Sequence, residues 1–207
     1  MKSKTFKIFL ASSGELVKER EAIRELILGY KDIHLKYELI MWEDMSKSFT
    51  RNGIQQDTIN PVLKECDVVI LMFHSKIGKF TKEEFDLAYE GMRNLSKPKY
   101  MFVYYSDKSS EHYTLDTNDM KAMMANIEVL SLIKHCQDKQ QVPIKFNSIS
   151  TLKASINDEL KLIEKREYRN DIVHDDTIVK IVQEKIISSN LPKIDLKVHA
   201  TLPPKDP

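Results

Sequence analysis

Two adjacent carboxylates, Glu83 and Glu84, lie in the stretch GKFTKEEFDLAYEGM (78–92), which reads as the start of a helix. Residues four apart share a helical face, so the ring of Phe80 pairs with Glu84, while Glu83 points about 100° away. A ring beside a carboxylate suits a ligand with a flat base and a hydroxylated sugar. The ring stacks on the base; the carboxylate accepts hydrogen bonds from the sugar and stabilises positive charge developing at C1′. The competing account is that acidic residues simply favour a helix N-terminus through its dipole. These residue types alone leave both accounts open.

Other chemistries lack their residues. The chain has five glycines and neither GxxxxGK[ST] nor GxGxxG, and its six histidines lack HExxH spacing. Ser12 and Ser13 have no nucleophile-elbow context, and His74 reads as a hydrogen-bonded rim residue rather than a base. Cys66 and Cys136 stand far apart without a CxxC pair, so they read as two core thiols, with no disulfide framework and no metal site expected.

The elements that must position Glu84 alternate along the chain. Strands are expected at FKIFLAS (6–12), KYELIMW (36–42), DVVILMF (67–73), YMFVYY (100–105) and VPIKF (142–146). Helices are expected between them, the first with Leu16, Ile23, Leu26 and Ile27 on one face and Ser13 as its N-cap. A second falls near 54–65, where Pro61 should kink it or confine the helical part to either side. Others follow near 80–95, 117–137 and 150–167. DVVILMF is apolar on both faces, as a central parallel strand covered by helices must be.

This alternation predicts an α/β, flavodoxin-like, doubly wound five-stranded parallel sheet of order 2-1-3-4-5. Ligands of such sheets bind beyond the carboxyl ends of strands one and three, here Ala11–Ser13 and Phe73–Ser75. Phe80 and Glu84 then stand at the mouth of that crevice, with Glu84 exposed and contributing little to packing. Residues 1–167 form the expected α/β domain. Residues 168–207 form a C-terminal appendage, with an amphipathic helix at 175–190 (Ile178, Val182, Ile186) and an extended run through Ile194, Leu196 and Val198. It serves either as a packed helix plus linker or as an arm toward another subunit or a sensor module.

Composition bounds the function further. With 42% hydrophobic and 30% charged residues the chain is expected to be a soluble globular protein with a proper core. A net charge of +1 supplies no whole-molecule field for a nucleic-acid backbone or an anionic membrane. No run approaches the roughly 20 apolar residues needed to cross a bilayer, and the short apolar run near the N-terminus is cut by Lys7. A cytoplasmic location is expected.

Five βα units, a serine-containing end of strand one, a long polar loop after strand two, and an aromatic followed four residues later by glutamate resemble the TIR (Toll/interleukin-receptor) domain. KIFLASSGELVKEREAIRELI (7–27) is similar to the opening of bacterial TIR-like domains fused to defence proteins. Many catalytic members carry W-x-x-x-E at the start of the third helix. Here FTKEE (80–84) places Glu84 at the catalytic position and Phe80 in place of the tryptophan. The resemblance covers roughly residues 4–166. It implies an NAD hydrolase that cleaves the nicotinamide–ribose bond, with NAD as substrate and no cofactor, in bacterial antiviral defence. Water would give ADP-ribose, and capture by the adenine a cyclic product.

In that setting Phe80, Ser12, Ser13, Trp42, Ser75 and Asp44 are the substrate-binding residues to expect. The loop at 43–53 matches the family's BB loop, so Phe49 and Arg51 are expected to join copies of the chain in TIR–TIR contacts, as filaments or rings. A sensor or partner chain could act through the tail. Two rivals stay open: a non-enzymatic TIR adaptor, favoured by the missing tryptophan, and an enzyme like the nucleoside deoxyribosyltransferases, which IGKF (77–80) fits poorly.

Overall fold

The structure, a computed structural model, describes residues 4–32, 35–45, 56–75, 77, 81–107 and 120–173. The chain divides into two compact units, Met1–Glu164 and Lys165–Pro207. The first holds β1 (Lys4–Ser12), α1 (Val17–Gly29), β2 (Leu35–Met41), a 3-10 turn (Trp42–Asp44), α2 (Gln56–Glu65), β3 (Val68–Phe73), α3 (Thr81–Arg93), β4 (Tyr100–Ser106), α4 (Met120–Asp138) and β5 (Ile144–Phe146). Helix α5 (Ile149–Val173) starts in the first unit and supplies the described residues of the second. The expected helix at 175–190 and the run through Val198 lie outside the described residues, as do Phe49, Arg51 and Phe80.

All strand pairings are parallel, in the order β2-β1-β3-β4-β5. The switch point therefore falls between β1 and β3, which pair from Ile8 with Val68 to Ser12 with Met72. β3 is buried at all six positions because helices cover both of its faces. On one face Phe6, Ile8, Leu10, Val68, Ile70 and Met72 pack against Leu16, Ile23 and Ile27 of the α1 segment and Leu152, Ile156, Leu160 and Ile163 of α5. On the other, Phe9, Ala11, Val69, Leu71 and Phe73 meet Ile59 and Leu63 of α2, Phe85 and Ala88 of α3, and Val129 and Leu132 of α4. Each such fully buried aliphatic contributes about 1.5–3 kcal/mol, so the pleat of the strands locks the helices to their faces.

Three local expectations change. Helix α2 runs from Gln56 to Glu65 with Pro61 inside it, so the helical part is not confined to either side of the proline. The proline forfeits one helical hydrogen bond, but Ile59 and Leu63, buried on either side of it, hold the helix on the sheet. Ser13 does not cap α1, which begins four residues later after a tight turn; Leu16 takes the N-cap position without a side-chain bond. Helix α5 runs to Val173, beyond the expected end at 167. Its start is secured by a reciprocal cap, in which Thr151 N–H donates to Ser148 Oγ (3.2 Å) and Ser148 N–H to Thr151 Oγ1 (3.2 Å).

Candidate functional site

The site is built where β1 and β3 end. Ser13 N–H donates to the Met72 carbonyl (3.0 Å), which carries the strand pairing one residue past β1. The turn then bends toward β3 through Glu15. The Glu15 carboxylate accepts from Ser75 N–H (2.7 Å, Oε1), from Ser75 Oγ (2.8 Å, Oε2) and from Ser13 Oγ (3.4 Å, Oε1). One exposed carboxylate thus clasps the two strand ends across the switch point. Sequence reasoning missed Glu15. Its signal was its place directly after Ser-Ser-Gly at the end of β1.

Behind this clasp a buried arginine braces the turn. Arg20, only 5% exposed, donates through Nη1 to Ser12 Oγ (2.7 Å) and to the Ser13 carbonyl (3.2 Å), and its Nε lies 2.7 Å from Glu43 Oε1. One turn along α1, Arg24 Nη2 donates to Asp44 Oδ1 at 3.0 Å. These two ion pairs pin the 3-10 turn after β2 to α1. Ser12 and Asp44 are accordingly held by arginines, while Ser13 and Ser75 face each other through Glu15. Trp42 opens the 3-10 turn rather than ending β2, and it packs partly buried against the core on the α2, α3 and α4 face.

His74, next to Ser75, sets its Nδ1 2.9 Å from the Ser106 carbonyl. A carbonyl only accepts, so Nδ1 carries the proton and the ring is oriented as a strut between the ends of β3 and β4.

The expected exposure of Glu84 is overturned. Helix α3 buries Thr81, Glu84, Phe85 and Ala88, the i, i+3, i+4, i+7 stripe of an amphipathic helix, and Glu84 is 8% exposed. The carboxylate occupies a position that packing would give to an apolar side chain. Glu83 turns outward, is exposed, and accepts from Asn60 Nδ2 of α2 at 2.7 Å. The two glutamates therefore diverge as helical geometry requires.

Helix α3 is held from its other side by α4. His135 Nε2 lies 2.6 Å from Asp86 Oδ1, Lys139 Nζ lies 3.6 Å from the same oxygen, and the His135 ring stands edge-on to Phe85 at 5.5 Å. The Lys139 ammonium sits 4.4 Å from the centre of the Tyr89 ring. The first turns of α3 are thus braced by α2 through Asn60 and by α4 through His135.

A separate open cavity lies at the amino ends of the strands. Lys97 Nζ pairs with Asp67 Oδ1 at 2.8 Å and Lys7 Nζ with Glu65 Oε2 at 4.0 Å, so two of its lining cations face acids of the same rim. Cys66 and Cys136 are buried and free, and burial pushes both thiols up to about 12. Among the described residues, no helix is long and apolar enough to cross a membrane.

The fold and this geometry define a class: a flavodoxin-like α/β domain with polar side chains gathered at its switch point and a buried glutamate on the helix that follows β3. Residues 7–161 match the model of the family described as Domain of unknown function (DUF4062), and the chain belongs to that family. No curated protein matches the sequence.

Proposed function

We propose that this protein is a TIR-like NAD hydrolase that cleaves the nicotinamide–ribose bond with Glu84 as its catalytic carboxylate. The observation that carries the proposal is the burial of Glu84 within the stripe Thr81, Glu84, Phe85 and Ala88. A carboxylate in a packed stripe carries a desolvation cost that an apolar residue there would not, which favours a chemical reason for its presence. That reason is stabilisation of positive charge. As the C1′–N bond breaks, its electron pair leaves with neutral nicotinamide and the ribosyl centre becomes oxocarbenium-like. A carboxylate in a low-dielectric setting stabilises this centre more than it would in water. Water then adds at C1′ and loses a proton, giving ADP-ribose; attack by the adenine instead gives the cyclic product.

In this reading Ser13 and Ser75 bind substrate at the strand ends, Phe80 stacks on a base, and Trp42 walls the crevice from β2. Ser12 and Asp44 act through the arginines that hold them. The chain works in the cytoplasm, in bacterial antiviral defence, and its activity follows self-assembly. Support for assembly comes from α4, whose outward side exposes Met120, Met123, Met124, Ile127 and Leu130 in one helical row. A second copy of the chain is the occupant proposed for that row, alongside contacts by Phe49 and Arg51 of the loop at 43–53. A sensor or partner chain raises the local concentration through the residues after 167.

The test is nicotinamide release from NAD across a protein dilution series, read beside light scattering. Specific activity that rises with the scattering of assemblies supports the proposal. Absence of nicotinamide release at every concentration, assemblies included, contradicts it and favours the adaptor reading.

A further inference from the structure

We propose that Ser13 and Ser75 form a phosphate subsite, and that Glu15 occupies it in the ligand-free chain as an internal anion that a phosphate group displaces. Three donors converge on the Glu15 carboxylate: Ser75 N–H at 2.7 Å, Ser75 Oγ at 2.8 Å and Ser13 Oγ at 3.4 Å. A backbone N–H with flanking hydroxyls is the donor set that binds phosphate oxygens where a chain lacks a glycine-rich loop. The donors come from the ends of β1 and β3, at the switch point where ligands of this sheet topology dock.

The occupant can be displaced at low cost. Glu15 is exposed and precedes α1, so swinging its side chain into water exposes no core and breaks no helical hydrogen bond. The donors stay in place when it leaves. Ser13 is 1% exposed and held by its bonds to Met72 and Arg20, and Ser75 follows directly on the His74 strut.

The ligand class follows from charge. A neutral sugar cannot replace a carboxylate on three donors without loss, whereas a phosphate oxygen can. The pyrophosphate of a dinucleotide is the assigned ligand group; the choice of a dinucleotide rests on the NAD reading, while the anion subsite does not. An internal occupant lowers apparent affinity by the fraction of time it leaves the site open.

Binding of inorganic pyrophosphate and of ADP-ribose to the full chain, measured by calorimetry, tests the subsite without any turnover. Glu15→Ala should tighten pyrophosphate binding about tenfold, Glu15→Gln should do so by a smaller factor, and adding Ser75→Ala to Glu15→Ala should remove the gain. Unchanged or weaker pyrophosphate binding in both Glu15 variants, each with native circular dichroism, overturns the proposal and makes Glu15 a structural latch or a direct ligand contact. Nicotinamide release is recorded separately. Tightened pyrophosphate binding without NAD cleavage retains the subsite and removes the NAD reading; cleavage without tightening does the reverse.

Discussion

Replacing Arg20 with methionine should destabilise the domain by about 3–5 kcal/mol. The residue is 5% exposed, and its side chain makes three polar contacts: Ser12 Oγ at 2.7 Å, the Ser13 carbonyl at 3.2 Å and Glu43 Oε1 at 2.7 Å. Removing one member of a buried ion pair costs about 3–5 kcal/mol, mainly because the partner charge is stranded. Both carboxylate oxygens of Glu43 are buried, so water does not recover that penalty and the full range applies. Methionine preserves the packing volume along α1, which isolates the polar term. Urea denaturation should show the loss as a lower midpoint with an unchanged slope. Arg20→Lys should recover little, because one ammonium cannot reproduce a guanidinium that reaches Glu43 through Nε and Ser12 through Nη1. Glu43→Gln in the Arg20→Met background should cost clearly less than in the wild type. A loss below about 1 kcal/mol, or strict additivity with Glu43→Gln, would refute the claim that this pair holds the strand ends in place.

Three further outcomes follow from the same structure. Gly91→Ala should cost about 1–3 kcal/mol by thermal melting, since a Cβ there would overlap the Lys97 carbonyl and backbone must move. Leu95→Gly should raise stability by about 1 kcal/mol: Leu95 sits at φ 55° in the αL position closing α3, where Ser96 N–H donates to Gly91 O at 3.0 Å, and it is 96% exposed, so no packing is lost. Stability should fall as pH rises above about 9, because Cys66 and Cys136 hold their protons up to about 12 in the folded chain and release them near 9.0 when unfolded. Melting temperatures from pH 8 to 11 check this, with the Cys66→Ala/Cys136→Ala double variant showing a shallower fall.

The sheet was legible because its signals are local. VVILMF declares a strand buried on both faces, and the alternation of strands and helices leaves few topologies, of which 2-1-3-4-5 is the common one. The helix start at Ser13 was misread because Gly14 and Glu15 form a turn, and a serine three residues before an apolar residue looks the same in a cap and in a strand end. Glu15 was invisible as a site residue because its main partner, Ser75, lies 60 residues away, a pairing only the sheet creates. The burial of Glu84 was missed for another reason. Acids in a first helical turn usually face water, and the signal was the spacing of Glu84 to Thr81 and Ala88 on the buried stripe. That burial also changes which variant is informative: Glu84→Gln preserves the volume, whereas Glu84→Ala adds a cavity.

The central claim is that Glu84, and not its neighbour, carries the chemistry. Nicotinamide release from NAD by Glu84→Gln and Glu83→Gln, at a concentration where the wild-type chain is assembled, tests it most directly. Glu84→Gln should lower the rate by at least about 10²-fold with the fold intact, as expected for loss of a transition-state electrostatic partner. Glu83→Gln removes only an exposed carboxylate that accepts from Asn60 and should retain most of the rate. An essential Glu83 beside a dispensable Glu84 would contradict the account.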